Sequence, residues 1–89
     1  MSWQESFGTW RQRPYPSCPA DVGKVGLVTL DADIAGLLLR CHRSGGTVDA
    51  LTRFQLREAQ QRLAGVVGRL SGECRDYFGE LEDIVSAVL

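Results

Sequence analysis

The chain has 89 residues, of which 44% are hydrophobic and 24% charged, and its formal net charge is −1. These fractions are typical of one small globular domain and exclude a disordered chain. The near-neutral charge argues against a general binder of nucleic acid or anionic membranes. No apolar run approaches the ~20 residues that a membrane span needs, and no secretory signal opens the chain. We therefore expect an intracellular protein of the cytoplasm.

The composition changes near residue 30. Residues 1–29 hold all three prolines and an aromatic stretch, and we interpret them as an N-terminal arm followed by a Pro/Gly-rich linker. Residues 30–89 contain no proline and are rich in helix formers, which predicts a helical bundle domain. The expected fold is all-α, a small three-helix bundle with an N-terminal aromatic arm.

The arm carries the clearest candidate surface for a protein partner. Ser2 and Glu5 fit a capping box at the start of a short helix. Trp3, Phe7 and Trp10 then recur at i, i+4 and i+7, which places three bulky side chains on one helical face. Such a face either enters the groove of a partner or folds onto its own bundle and enlarges a small core. The sequence leaves both interpretations open.

The first helix of the bundle is predicted over about residues 31–43. Thr29 or Asp31 suits its N-cap, and glycines 45 and 46 suit its end. The segment before it, 22–29, is ambiguous between an extended stretch and a helical turn, because its glycines weaken both. The predicted buried stripe consists of Ile34, Leu37, Leu38 and Cys41.

The second and third helices are predicted over about 53–70 and 73–88, each with an apolar stripe spaced by threes and fours. Thr52 opens the second helix with a capping box, and Thr47 or Asp49 is the alternative cap. Leu51, just before this cap, suits a hydrophobic staple. A break at residues 71–72 separates the two helices. Because the apolar spacing continues through that break, the competing layout is a helix hairpin with one long helix, about 54 Å in length, in a dimer.

Charge divides these two helices. Residues 53–72 carry four Arg and one Glu, whereas residues 73–89 carry five acidic groups and one Arg. Antiparallel packing would place the two flanks side by side, which favours separate helices. Arg53, Arg57 and Arg62 form a second candidate surface for a partner. They are also the contacts expected if the protein is instead a small nucleic-acid-binding transcriptional regulator, although the acidic third helix would repel phosphate.

Gly65, Gly68 and Gly72 form a candidate self-association face. The spacing of Gly68 and Gly72 is the small-residue pattern that lets two helix backbones approach closely. A close helix crossing within the monomer or a frayed helix end would explain the same glycines. A homodimer is therefore one of the arrangements that the sequence allows.

No catalytic or metal-binding pattern stands out. His42 follows Cys41 directly, so in a helix their side chains point about 100° apart and do not form a nucleophile–base pair. Cys18, Cys41 and Cys74 have spacings typical of neither a disulfide framework nor a zinc site, which predicts three reduced, mostly buried thiols. We expect no cofactor, no metal and no small-molecule substrate.

The absence of catalytic patterns and the presence of an aromatic anchor pattern lead to one functional expectation. The protein is predicted to be a non-enzymatic protein–protein interaction module, a small adaptor, assembly subunit or regulator that acts through helical surfaces. Its partner is expected to be another protein or a second copy of itself, and no membrane contact is expected.

Overall fold

The computed structural model describes residues 2–89 and contains four helices and one short hairpin. The strands β1 (Asp21–Val22) and β2 (Val25–Gly26) pair antiparallel. The fold is therefore all-α apart from this hairpin, as predicted, and the aromatic arm supplies a helix of its own. The helices are α1 (Trp3–Arg11), α2 (Leu27–Arg43), α3 (Ala50–Val67) and α4 (Gly72–Val88).

Helix α4 lies at the centre of the packing, with α1 on one side and α3 on the other, while α2 packs against α3. The predicted stripes of all three bundle helices are buried almost throughout. The accessible surface of 5332 Å² is close to the ~5,200 Å² expected of a folded monomer of this mass. The single long helix of the competing layout is wrong, because α3 and α4 are separate helices, while the homodimer stays a prediction. The residues with the least exposure include Leu27, Ile34, Leu38, Leu56, Leu63, Phe78, Leu81 and Val85.

Helix α2 begins at Leu27, one turn earlier than the sequence predicts. Gly26 is its N-cap and makes no side-chain capping bond, so the predicted caps Thr29 and Asp31 are wrong. Leu27 and Leu30 are both buried and extend the stripe of the helix towards its N-terminus. The ambiguous segment 22–29 contains both predicted structures, because residues 22–26 belong to the hairpin and residues 27–29 begin α2. The hairpin turn uses Gly23 with φ +63°, a backbone conformation that glycine adopts without steric cost.

Helix α3 uses the alternative cap. Asp49 is the N-cap, and its carboxylate accepts a hydrogen bond from the Thr52 backbone N–H at 2.7 Å. This bond lowers the pKa of Asp49. Thr52 itself lies buried in the first turn, so the predicted capping box at Thr52 is wrong. The predicted staple also fails because Leu51 is 64% exposed. The earlier start is favoured because it places Thr52 on the same buried face as Leu56.

The predicted break at residues 71–72 is confirmed, because α3 and α4 are separate helices. Helix α3 ends at Val67 and α4 begins at Gly72. The backbone of Gly72 has φ +62°, which a residue with a Cβ adopts only with strain. The left-handed conformation at Gly72 therefore explains why the in-phase apolar pattern does not continue as one helix.

Cys18 and Cys74 form a disulfide with a Cα–Cα distance of 5.4 Å. The prediction of three reduced thiols is therefore wrong for this pair and right for Cys41, which is free and buried. The extended chain after α1 brings Cys18 to the first turn of α4, a proximity that sequence spacing does not encode. Disulfides are rare in the reducing cytosol, so the expected cytoplasmic location stays a prediction, and the disulfide weighs against it.

The N-terminal segment shares its core with the bundle. Phe7, Trp10 and Val22 belong to the same buried cluster as the helix stripes. The predicted boundary between residues 29 and 30 falls inside α2. In the structure, the arm and the bundle are therefore one folded unit.

Candidate functional site

The aromatic arm is docked on α4. Phe7 is 1% exposed and Trp10 is 3% exposed. The indole Nε1 of Trp10 donates a hydrogen bond to the Tyr77 carbonyl at 3.1 Å, and the two rings lie 4.9 Å apart. Both side chains therefore serve the core, which corrects their assignment as a surface for a partner. The i, i+4, i+7 spacing is equally typical of a core face and of an interface.

Trp3, the third aromatic residue of the arm, is only partly buried. It lines a groove between α1 and α4 with a volume of about 310 Å³. We call this the Trp3 groove. For comparison, an enclosed apolar cavity of about 150 Å³ is large enough to bind benzene. The groove therefore has room for an aromatic side chain from another molecule. Its lining consists of Trp3, Ser6, Thr9, Glu80, Asp83, Ile84 and Ala87.

The rim of the Trp3 groove is acidic. Glu80 accepts a hydrogen bond from Arg13 at 2.7 Å. One of the two carboxylates that line the groove is therefore neutralised within the chain. Asp83 has no ion pair or side-chain hydrogen bond among residues 2–89. Asp76 and Glu73 precede them on the same exposed stripe of α4, at spacings of three and four residues. The groove thus combines an apolar floor with an unpaired carboxylate at its edge.

A second surface lies on the outer side of α3. Leu51 is 64% exposed and Phe54 is 59% exposed, and at i, i+3 they are neighbours on the helix surface. We call this pair the α3 apolar patch. Large aromatic side chains lose favourable burial when they point into water. This patch was missed at the sequence level because Leu51 suited a staple.

The three predicted arginines of α3 do not share one surface. Arg62 follows Arg53 by nine positions, about two and a half turns, which places it on the opposite flank. Arg53 donates to the main-chain oxygen of Leu89 at 3.5 Å, beside α4. Arg57 is exposed next to Phe54, one turn further along the helix, whereas Arg62 lines a groove facing α2. The single basic face predicted for α3 is therefore wrong.

The charge split also does not produce ion pairs between α3 and α4. Among residues 2–89 the structure holds one salt bridge, between Arg13 and Glu80. The contact between the α3 and α4 flanks is neutral instead, with Gln60 donating to the Ser86 hydroxyl at 2.8 Å. Arg57, beside the patch, forms no salt bridge among residues 2–89, so its charge is available to an outside group.

The predicted glycine face makes no close approach within the chain. A Cβ added to Gly65, Gly68 or Gly72 would meet nothing within 4 Å outside its own helix, and all three residues are exposed. A close helix crossing in the monomer, one of the alternatives above, is therefore absent from the part of the chain that the structure describes. Self-association through these glycines stays a prediction.

Asp31, Tyr77 and Tyr15 form a polar cluster beneath the arm that the sequence did not predict. The Tyr77 hydroxyl lies 3.2 Å from both carboxylate oxygens of Asp31 and donates to them. Burial raises the pKa of Asp31 and of Tyr77, and the neighbouring carboxylate raises that of Tyr77 further. The Tyr15 ring lies 5.5 Å from the Tyr77 ring. The partners are 46 residues apart in sequence, and no local signal links them.

The side chains of greatest chemical reactivity are dispersed. Cys41 is buried, which raises the pKa of its thiol, while His42 points to solvent, as their adjacency in a helix predicts. Within residues 2–89, no three His, Cys, Asp or Glu side chains lie together as a metal site would require. The described residues therefore form a small α-helical protein with one surface groove and one exposed apolar patch.

No family model, curated protein or solved structure matches the chain. None of the helices described is both long and apolar enough to cross a membrane.

Proposed function

We propose that the protein is a non-enzymatic protein–protein interaction module, an adaptor, assembly subunit or small regulator that presents helical surfaces. The observation that carries this proposal is the α3 apolar patch. Leu51 and Phe54 are each more than half exposed, and among the large apolar side chains of residues 2–89 they share this exposure with Val28 alone. Neighbouring exposed apolar side chains can mark a protein interaction site, and arginine is enriched in binding hot spots.

The contact surface differs from the one that the sequence suggested. The partner is expected to cover Leu51 and Phe54, with Arg57 beside them, and not the buried rings of the arm. Two exposed apolar anchors alone form a small contact area, and interfaces below about 1,200 Å² in total are typical of weak or transient encounters. A reversible interaction is therefore expected.

The test is capture from native lysate with the tagged full chain and with Leu51→Ser/Phe54→Ser. Val28→Ser is the matched control, because Val28 is 63% exposed and lies on α2. A stoichiometric protein that survives nuclease treatment should be retained by the chain and by the control, and lost with the double variant. Equal retention by all three would refute the patch. Recovery that depends on nucleic acid would refute the proposal and favour phosphate contacts by the arginines.

A further inference from the structure

The Trp3 groove and the α3 apolar patch have complementary chemistry. The groove has an apolar floor formed by Trp3 and Ile84 and an unpaired carboxylate, Asp83, at its rim. The α3 apolar patch presents an exposed aromatic ring, that of Phe54. The exposed guanidinium of Arg57 lies beside the patch, one turn later on the same helix. An aromatic ring flanked by a cation is chemically complementary to an apolar groove flanked by an anion.

The two surfaces cannot meet within one molecule. The groove lies between α1 and α4, whereas the patch lies on the outer side of α3, and each is fixed by packed helices. A second copy of the chain presents the missing half to each surface. Because the two halves are different, the contact can join copies head to tail, or twice about a twofold axis.

We infer that the protein associates with itself by seating Phe54 of one copy in the Trp3 groove of the next, with Arg57 pairing with Asp83. This inference deepens the proposed function and rests on it. The volume of about 310 Å³ accommodates a phenyl ring. The neighbouring pair of Glu80 and Arg13 is neutral overall, so Asp83 directs the charge preference of the groove.

The contact is small and therefore weak. One ring and one ion pair fall short of the interface area that gives nanomolar complexes, so association should become visible only between about 10 μM and 1 mM. Its ionic component should weaken with added salt, because the pair lies at the surface.

The experiment is sedimentation velocity of the pure full-length protein across that concentration range, followed by a charge-reversal pairing. Asp83→Arg reverses the charge at the groove rim and keeps Arg57, whereas Arg57→Glu reverses the charge beside the patch and keeps Asp83. Each variant alone should associate at least about tenfold more weakly than the parent. An equimolar mixture should recover association, because each groove then faces a side chain of opposite charge, in the native order at one joint and in the reversed order at the other. Asp76→Arg and Arg62→Glu make the same charge changes outside the contact and should associate like the parent.

Several results would overturn the inference. A monomer mass at every concentration of the parent protein would exclude self-association. The Trp3 groove would then be expected to bind a different protein that carries a basic side chain. Failure of the mixture to recover association excludes this particular pairing. Neither result touches the proposed function, which fails only if capture of a protein partner is indifferent to Leu51→Ser/Phe54→Ser.

Discussion

Replacing Trp10 tests whether the N-terminal helix is part of the core. Its ring is 3% exposed and donates the 3.1 Å hydrogen bond to the Tyr77 carbonyl. Trp10→Ala removes the ring and leaves a cavity, for which core substitutions of this kind cost about 3–5 kcal/mol. Trp10→Phe keeps most of the ring, so it should cost about 1–2 kcal/mol, which combines the lost hydrogen bond and a smaller void.

These magnitudes are large against the whole stability of a domain this size. For 89 residues, the free energy of unfolding should be roughly 4–13 kcal/mol. At the lower end of this range Trp10→Ala brings the chain close to unfolding at 25 °C, and Trp10→Phe keeps the measurement in range if the alanine variant does not fold. The assay is urea denaturation followed by far-UV circular dichroism, with the slope m compared between variants.

A small loss of unfolding free energy in Trp10→Ala would contradict the packing of α1 into the core. If Trp10→Ala lowered the free energy of unfolding by less than about 1 kcal/mol, α1 would not be held by its aromatic face. The arm would then be free for a partner, as the other interpretation of the sequence holds.

Three further predictions follow from the disulfide, the Tyr77 cluster and the glycines. Cys18→Ser removes the cross-link that closes a loop of 56 residues. The free energy of unfolding should fall by about 4 kcal/mol on the chain-entropy model. An unchanged urea midpoint after reduction of the parent would contradict this prediction. The folded-state pKa of Tyr77 is raised above its ordinary value of about 10, so the folded chain binds more protons than the unfolded one above that pH. Stability should therefore fall as pH rises through that range, and urea midpoints should show less of this fall in Tyr77→Phe; an equal fall in both would contradict the cluster. Gly65→Ala should stabilise the chain by about 0.5–1 kcal/mol in thermal melts, because a helical Gly with open space gains propensity; Gly72→Ala should destabilise it because of φ +62°, and equal effects would contradict the assigned backbone.

Periodicity predicted most of the fold. The stripes of α3 and α4 follow from apolar residues spaced by threes and fours, because only that spacing lines one side of a helix. Helix starts were harder, since several residues near each start are good caps. Asp49 prevailed over Thr52 because the earlier start also buries the Thr52 side chain, and burial is a property of the neighbouring helices.

Long-range contacts account for what the sequence did not predict. The Cys18–Cys74 pair and the Tyr77–Asp31 hydrogen bond join residues 56 and 46 positions apart, and no local pattern marks them. The aromatic spacing of the arm fitted both a core and an interface, and only the presence of α4 beneath it decides. The exposed position of Phe54 depends in the same way on which side of α3 the other helices cover.

We expect partners to bind the outer side of α3 while the arm stays docked on α4. Hydrogen–deuterium exchange of the full chain distinguishes this binding mode from release of the arm, by comparing the free protein with the protein bound to the partner retained in capture. On binding, exchange should slow in residues 50–58, and protection in residues 3–11 should stay unchanged. Faster exchange in residues 3–11 with no change in residues 50–58 would show instead that the arm leaves the core to bind.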